Sequence, residues 1–183
     1  MIILFFCVLL FIIGYHFKNK CEYFKKDGLI NRGINIIYNK TIKNYKKLYQ
    51  ASVDGYSIEN FHKKCDGKAF TVIFITNDKD KIFGGFTEIE WDSSSGEKKG
   101  YKGFIFSISN NKIYYTEKGY YFIYCDKDFG PTFLNGFSID KFNLVKDNTY
   151  VNSEFNLEGK EYVLQGERYG EVKDYVVYQI ELE

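Results

Sequence analysis

From Ala69 onward the apolar positions fall into short runs broken by polar turns, the pattern of successive strands. Phe70-Thr71-Val72-Ile73-Phe74-Ile75 is continuous, apolar and rich in β-branched residues, and Asn77-Asp78-Lys79-Asp80 turns it. Lys81 to Trp91 alternates, interrupted by Gly84-Gly85, where a bulge or a close backbone approach is expected. After the loop Ser93-Ser94-Ser95-Gly96 come three more strand-like runs: Gly103–Ser109, Lys112–Tyr115 and Gly119–Cys125. At the C-terminus Val176, Tyr178, Ile180 and Leu182 alternate with Val177, Gln179 and Glu181, predicting a strand with one apolar face.

The first third reads differently. Ile42, Tyr45, Leu48 and Tyr49 recur at three- and four-residue steps, predicting a short amphipathic helix over 41–49. A second helix is expected after Asp54-Gly55, with Ser57 as N-cap, Ile58, Phe61 and Cys65 on one face, and Asp66-Gly67 as the stop. Segment 21–41 lacks clear periodicity and reads as a linker. Residues 1–15 carry no charge, and as a helix span roughly 22 Å, short of a hydrocarbon core of about 30 Å; His16 and Phe17 lengthen the run a little. No basic stretch precedes it and no small-residue cleavage site follows. A membrane anchor is the first reading; a signal peptide, a wrong gene start or a buried strand are the alternatives.

The expected fold is mainly β with helices (α+β): two antiparallel sheets packed as a β-sandwich, flanked by short helices and preceded by an N-terminal apolar helix. The expected division is 1–17 apolar segment, 18–40 basic linker and 41–183 folded domain. That agrees with 183 residues, enough for one core, and with an aromatic content of 20%. A single Pro and 16 Gly argue against collagen-like or disordered character.

Charge is balanced overall, at +1, so no field would draw in nucleic acid. It is unevenly placed. Residues 16–47 hold nine basic side chains against Glu22 and Asp27, a net +7, which leaves −6 for 48–183. A basic flank after an apolar run favours a single-pass membrane protein with its C-terminal domain in the cytosol, the flank resting on an anionic leaflet. The alternatives are a solvated linker with no partner and a cytoplasmic protein.

Candidate chemistry is sparse. Two His and four Cys, none in C-x-x-C spacing, exclude a zinc finger or a disulfide scaffold, and neither metal nor cofactor is expected. His62 and Cys65, three residues apart on the predicted helix, could form a thiolate–imidazole pair; Cys65 on the apolar face reads more simply as packing. Asp128-Phe129-Gly130 lacks every other kinase element, and no phosphate-binding glycine loop occurs. Glu88 and Glu90 alternate on one expected strand face and read as solvated. Asn39-Lys40-Thr41 is a glycosylation sequon, relevant only in a lumen.

Six blocks in order resemble the TLDc domain family, over about residues 40–183. Leu48-Tyr49, Ser52-Val53-Asp54-Gly55, then Phe61-His62 and Cys65-Asp66 resemble its opening. Gly84-Gly85 resembles its glycine-pair strand; Trp91 with the serine loop, Phe104-Ile105-Phe106-Ser107, Tyr124-Cys125 together with Gly130-Pro131-Thr132-Phe133, and Tyr162-x-Leu164-x-Gly166 with Tyr175 to Tyr178 follow. Two departures stand out: Phe137-Ser138 where the family usually has His-Asp, and Val176 where its closing strand carries Glu. The resemblance implies a β-sandwich without an agreed active site, a link to oxidation resistance, and binding and regulation of the vacuolar-type proton ATPase. The Ser52–Gly55 turn and the Gly84-Gly85 strand could supply the partner surface; the simpler reading is backbone geometry for the glycines and turn capping by Ser52 and Asp54. A redox sensor or enzyme using Cys65 with His62, or a divergent copy that has lost its partner, are the alternatives.

Overall fold

The computed structural model describes residues 22–25, 28–115, 121–134, 136–140, 144–147, 164 and 169–183. Contacts divide the chain into a smaller unit, residues 1–42 with 182–183, and a larger one, residues 43–181. The apolar run 1–17, expected as a helix, lies outside the described residues.

In the smaller unit, Leu29–Tyr38 forms helix α1, within the stretch read as a linker. Its buried side is Leu29, Ile30, Asn31, Gly33 and Ile34, while Ile36 faces solvent. Asn31 and Gly33 interrupt the apolar stripe, which hid the helical period. Asn31 is buried because its side-chain oxygen accepts the Ile42 N–H at 2.9 Å. The helix stops at Asn39, left-handed at φ 52°, whose N–H closes on the Asn35 carbonyl.

A strand, β1 (Ile42–Gln50), all but its first residue in the larger unit, stands in place of the helix expected over 41–49. Lys43 through Lys47 are exposed and only Tyr49 and Gln50 are buried, so little of β1 reports a period. Its pairing with the C-terminal strand overrides the helical spacing. Helices α2 (Ala51–Asp54) and α3 (Ile58–Cys65) follow. Ser57 caps α3 as expected, its hydroxyl accepting the Asn60 N–H at 3.2 Å.

The remaining strands are β2 (Thr71–Asn77), β3 (Ile82–Thr87), β4 (Gly96–Lys99), β5 (Gly103–Ser107), β6 (Lys112–Tyr115), β7 (Tyr121–Cys125), β8 (Phe129–Phe133), β9 (Phe137–Asp140), β10 (Leu144–Asp147) and β11 (Tyr169–Leu182). They form two antiparallel sheets, ordered β11-β2-β3-β5-β6 and β4-β7-β8-β9-β10. Strand β11 belongs to both. Tyr169 to Glu171 pair with β10, Val172 to Gln179 with β2, and the register shifts between Val172 and Asp174.

Inner faces of the two sheets meet through aromatic rings. Phe83 of β3 stands edge-on to Phe137 of β9 at 5.7 Å, and Trp91 to Phe133 of β8 at 5.9 Å. Tyr49, Ala51, Phe61 and Cys65 join the same core from β1, α2 and α3. Each fully buried phenylalanine among them contributes roughly 1.5–3 kcal/mol.

The first sheet is apolar on its other face too. Val72, Phe74, Phe86, Phe104, Phe106, Val176 and Tyr178 are buried there, with Phe74 and Phe106 at 5.2 Å. Burial on both faces explains the unbroken apolar run of β2. It also corrects the expectation for β11: Tyr175 and Val177 face the shared core, Val176 and Tyr178 the opposite side, and all four are buried.

Strand β3 ends at Thr87, short of the expected Trp91. Glu88 therefore does not alternate with Glu90 on a strand. Its carboxylate accepts the N–H groups of Tyr101 and Lys102, at 3.0 Å each, and pins the turn before β5.

Candidate functional site

The turn from Gln50 to Ser57 is held by polar groups that close on one another. Asp54 Oδ2 accepts the Gln50 N–H and Oδ1 the Lys64 ammonium, each at 2.9 Å. The Lys64 bond, then the Gln50 N–H, hold the Asp54 carboxyl below the usual carboxylate range. Ser52 donates its N–H to Asp174 Oδ1 at 3.1 Å; the Gln50 side-chain amide donates to the Ser52 hydroxyl and to Asp174 Oδ2, both at 3.0 Å. The Tyr49 hydroxyl donates to the Gly55 carbonyl at 2.6 Å. Gly55 has φ 92°, which only glycine adopts without strain, and a Cβ there would lie 2.8 Å from the Asn60 amide.

The cluster lies at the surface, with Gln50 buried, Asp54 and Asp174 half-buried and Ser52 and Lys64 exposed, and two apolar residues of the turn stand out beside it. Val53 is 70% exposed, and Tyr56, whose hydroxyl donates to the Lys173 carbonyl at 2.8 Å, is 37% exposed. Gln50, Lys64 and Asp174 are members of this cluster that the sequence reading missed. A signal existed in Asp174, a carboxylate within the apolar closing strand.

On α3, Phe61 is fully buried, edge-on to Trp91 at 5.6 Å and to Tyr49 at 6.1 Å. His62 does not pair with Cys65. Its Nδ1 meets Asp66 Oδ1 at 2.7 Å, and its Nε2 meets the carbonyls of Asp126 and Phe129 at 2.9 Å each. Asp66 Oδ2 accepts the Ser93 hydroxyl at 2.6 Å. Cys65 is fully buried in the aromatic core, and burial, reinforced by the Asp66 and Asp54 charges, pushes its thiol far up. Burial likewise raises Cys125 to about 11. The thiolate–imidazole pair is thus not assembled here. Iodoacetamide should modify Cys65 in the folded protein at least roughly 100-fold more slowly than in urea, as peptide mapping will show. Labelling at the unfolded rate would restore the thiol reading.

The glycine pair serves close approach, not a bulge: β3 runs in unbroken register against β2 and β5. A Cβ on Gly84 would lie 1.8 Å from the Ile73 carbonyl oxygen, and one on Gly85 2.5 Å from the Phe133 ring. Trp91, 1% exposed, donates its indole N–H to Thr71 Oγ1 at 2.8 Å. Gly130 packs against Ile139. Pro131 sits where the β8–β9 register shifts, a position that tolerates its missing N–H. Gly166 lies outside the described residues.

Phe137 and Val176 fall in hydrocarbon, while Ser138 is a buried polar residue in register with Thr132 of β8. Phe137 is buried between Phe83 and Phe133, and Val176 is buried opposite Phe74. A lone carboxylate at Val176 would need a partner to offset its desolvation. Among the described residues no group of three or more His, Cys, Asp or Glu could hold a metal ion. A groove on the β1–β11 ribbon, lined by Asn44, Tyr45, Lys46, Gln179, Ile180 and Glu181, shares no residue with the cluster around Asp54 or His62.

A family model described as TLDc domain matches residues 19–182. No curated protein matches the sequence.

Proposed function

The chain belongs to the TLDc domain family, and on that premise we propose that it is a non-enzymatic interaction domain that binds and regulates the vacuolar-type proton ATPase and supports oxidative-stress resistance. The family is generally linked to such resistance. Support for contact over turnover comes from the signature residues. Ser52, Asp54, Gly55, His62 and Asp66 are engaged by neighbouring side chains or backbone, while Val53 stands exposed on the same turn. An exposed aliphatic side chain on a braced turn suits docking, where orientation must be set before the partner arrives.

The proposal extends to the N-terminus. Residues 1–17 tether the protein to a membrane, 18–40 form a basic connection carrying α1, and 41–183 form the domain on the cytosolic side. Lack of charge in the run and the basic flank support this orientation. Among the described residues no helix is long and apolar enough to cross a membrane, and the run lies outside them.

Affinity capture of the tagged full chain from solubilised membranes tests the proposal. ATPase subunits should co-purify, and Val53→Asp should lower their yield about tenfold without changing the melting temperature. Deleting 1–17 should release the protein from membranes and leave direct binding to purified ATPase intact. Capture without ATPase subunits, both in resting cells and under oxidative stress, would contradict the proposal. That result would favour a divergent copy without this partner, for which Phe137-Ser138 and Val176 are the motive.

A further inference from the structure

Helix α3 presents His62 to the turn between β7 and β8, and every partner of its two ring nitrogens is an oxygen acceptor. Asp66 Oδ1 lies 2.7 Å from Nδ1, and the Asp126 and Phe129 carbonyls lie 2.9 Å from Nε2. A neutral imidazole has one N–H and one lone pair, so it serves one side and sets its lone pair against oxygen on the other. The doubly protonated ring donates to all three. We propose that His62 is a pH-responsive latch: carrying both protons it ties α3 to the 126–129 turn, and losing one lets that turn open.

The main chain of the turn reaches α3 through the His62 ring, while the Asp126 side chain is held from β7, its Oδ2 accepting the Tyr124 hydroxyl at 3.4 Å. Asp126 Oδ1 accepts the Asp128 N–H at 2.9 Å and the Asp126 carbonyl accepts the Phe129 N–H at 3.0 Å, bonds local to the turn itself. Opening would therefore reposition Asp126, Lys127 and Asp128 at the surface.

The charged and titratable groups around the ring come from three elements. On α3 and its C-terminal end these are Asp66, the neutral Cys65, exposed Lys63, and Lys64 tied to Asp54. From the 91–95 loop, the Ser93 hydroxyl fixes Asp66 Oδ2 while Asp92 pairs with Lys98 at 2.7 Å. From the turn come Asp126, held in its ionised form chiefly by the Asp128 N–H, and the Lys127–Asp128 pair at 3.1 Å.

His16 is the other histidine, so ring nitrogen shifts can be assigned and followed with pH on the full chain. Both His62 nitrogens should show the doubly protonated shift at the acid end. On loss of one proton, opening at the Asp128 and Phe129 amides, read by hydrogen exchange, should rise about tenfold. Asp66→Asn supplies a side-chain N–H that a neutral Nδ1 can accept, so it should keep the turn closed and abolish the pH response. Should Asp66→Asn fail to fold, the wild-type ring shifts and amide exchange still decide. A ring neutral throughout the folded pH range, a titration that leaves those amides unchanged, or a full response in Asp66→Asn would each overturn the latch.

Discussion

Gly84→Ala should destabilise this protein by about 3 kcal/mol, the upper end of what one inserted methyl usually does in a packed interior. Gly84 sits mid-strand in β3, opposite Phe74 on one side and Phe106 on the other. Its new Cβ would lie 1.8 Å from the Ile73 carbonyl oxygen and 2.9 Å from the Phe106 ring. A phenyl ring can swing aside. The carbonyl cannot, because Ile73 is paired with Gly85 on one edge and Val177 on the other. The strain must spread through three strands. In a domain of this length that corresponds to a fall in melting temperature of about 6–12 °C. Gly67→Ala is the control: φ is 71° but nothing lies within 4 Å, so only backbone strain of about 1 kcal/mol is expected. Urea unfolding of both variants would check the pair, and equal losses would mean that the clash at Gly84 is absorbed.

Phe133→Ala should be worse still, at about 4 kcal/mol, the cost of deleting a fully buried phenyl group. Phe133 touches Phe137 at 4.9 Å, Phe122 at 5.2 Å and Trp91 at 5.9 Å, and its ring fills the space that Gly85 leaves open. It is the knob from the second sheet seated in the hole of the first. That geometry predicts coupling. Gly85→Ala should cost about 2 kcal/mol alone, yet combined with Phe133→Leu the total loss should fall short of the sum by at least about 1 kcal/mol. Additive losses would show that the two residues do not share this space.

Strands β2, β5, β6 and β7 were legible in the sequence because β-branched and aromatic runs bounded by Asn, Asp and Gly leave few alternatives. The Ser57 cap was legible for a similar reason: its signal is local. What escaped depends on distant partners. Strand β1 is exposed along most of its length, and its identity comes from β11, more than a hundred residues away. Helix α1 buries Asn31 and Gly33, residues that a hydrophobic pattern scores as surface. At the site, Ser52, Asp54 and Gly55 could be read as a turn, but Gln50 and Asp174, which brace it, become neighbours only when β11 folds alongside. The same holds for the carbonyls that occupy His62 and leave Cys65 without a base.

The reading of this domain as a contact body, with its signature residues serving architecture, is tested most directly by measuring unfolding free energy and ATPase capture on one set of variants. Gly85→Ala, Phe133→Leu and Cys65→Ala alter buried positions, whereas Val53→Asp alters an exposed one. The account predicts that capture per folded molecule stays at the wild-type level in the first three and falls about tenfold only in Val53→Asp. A Cys65→Ala protein of wild-type stability that has lost capture or stress resistance would contradict it.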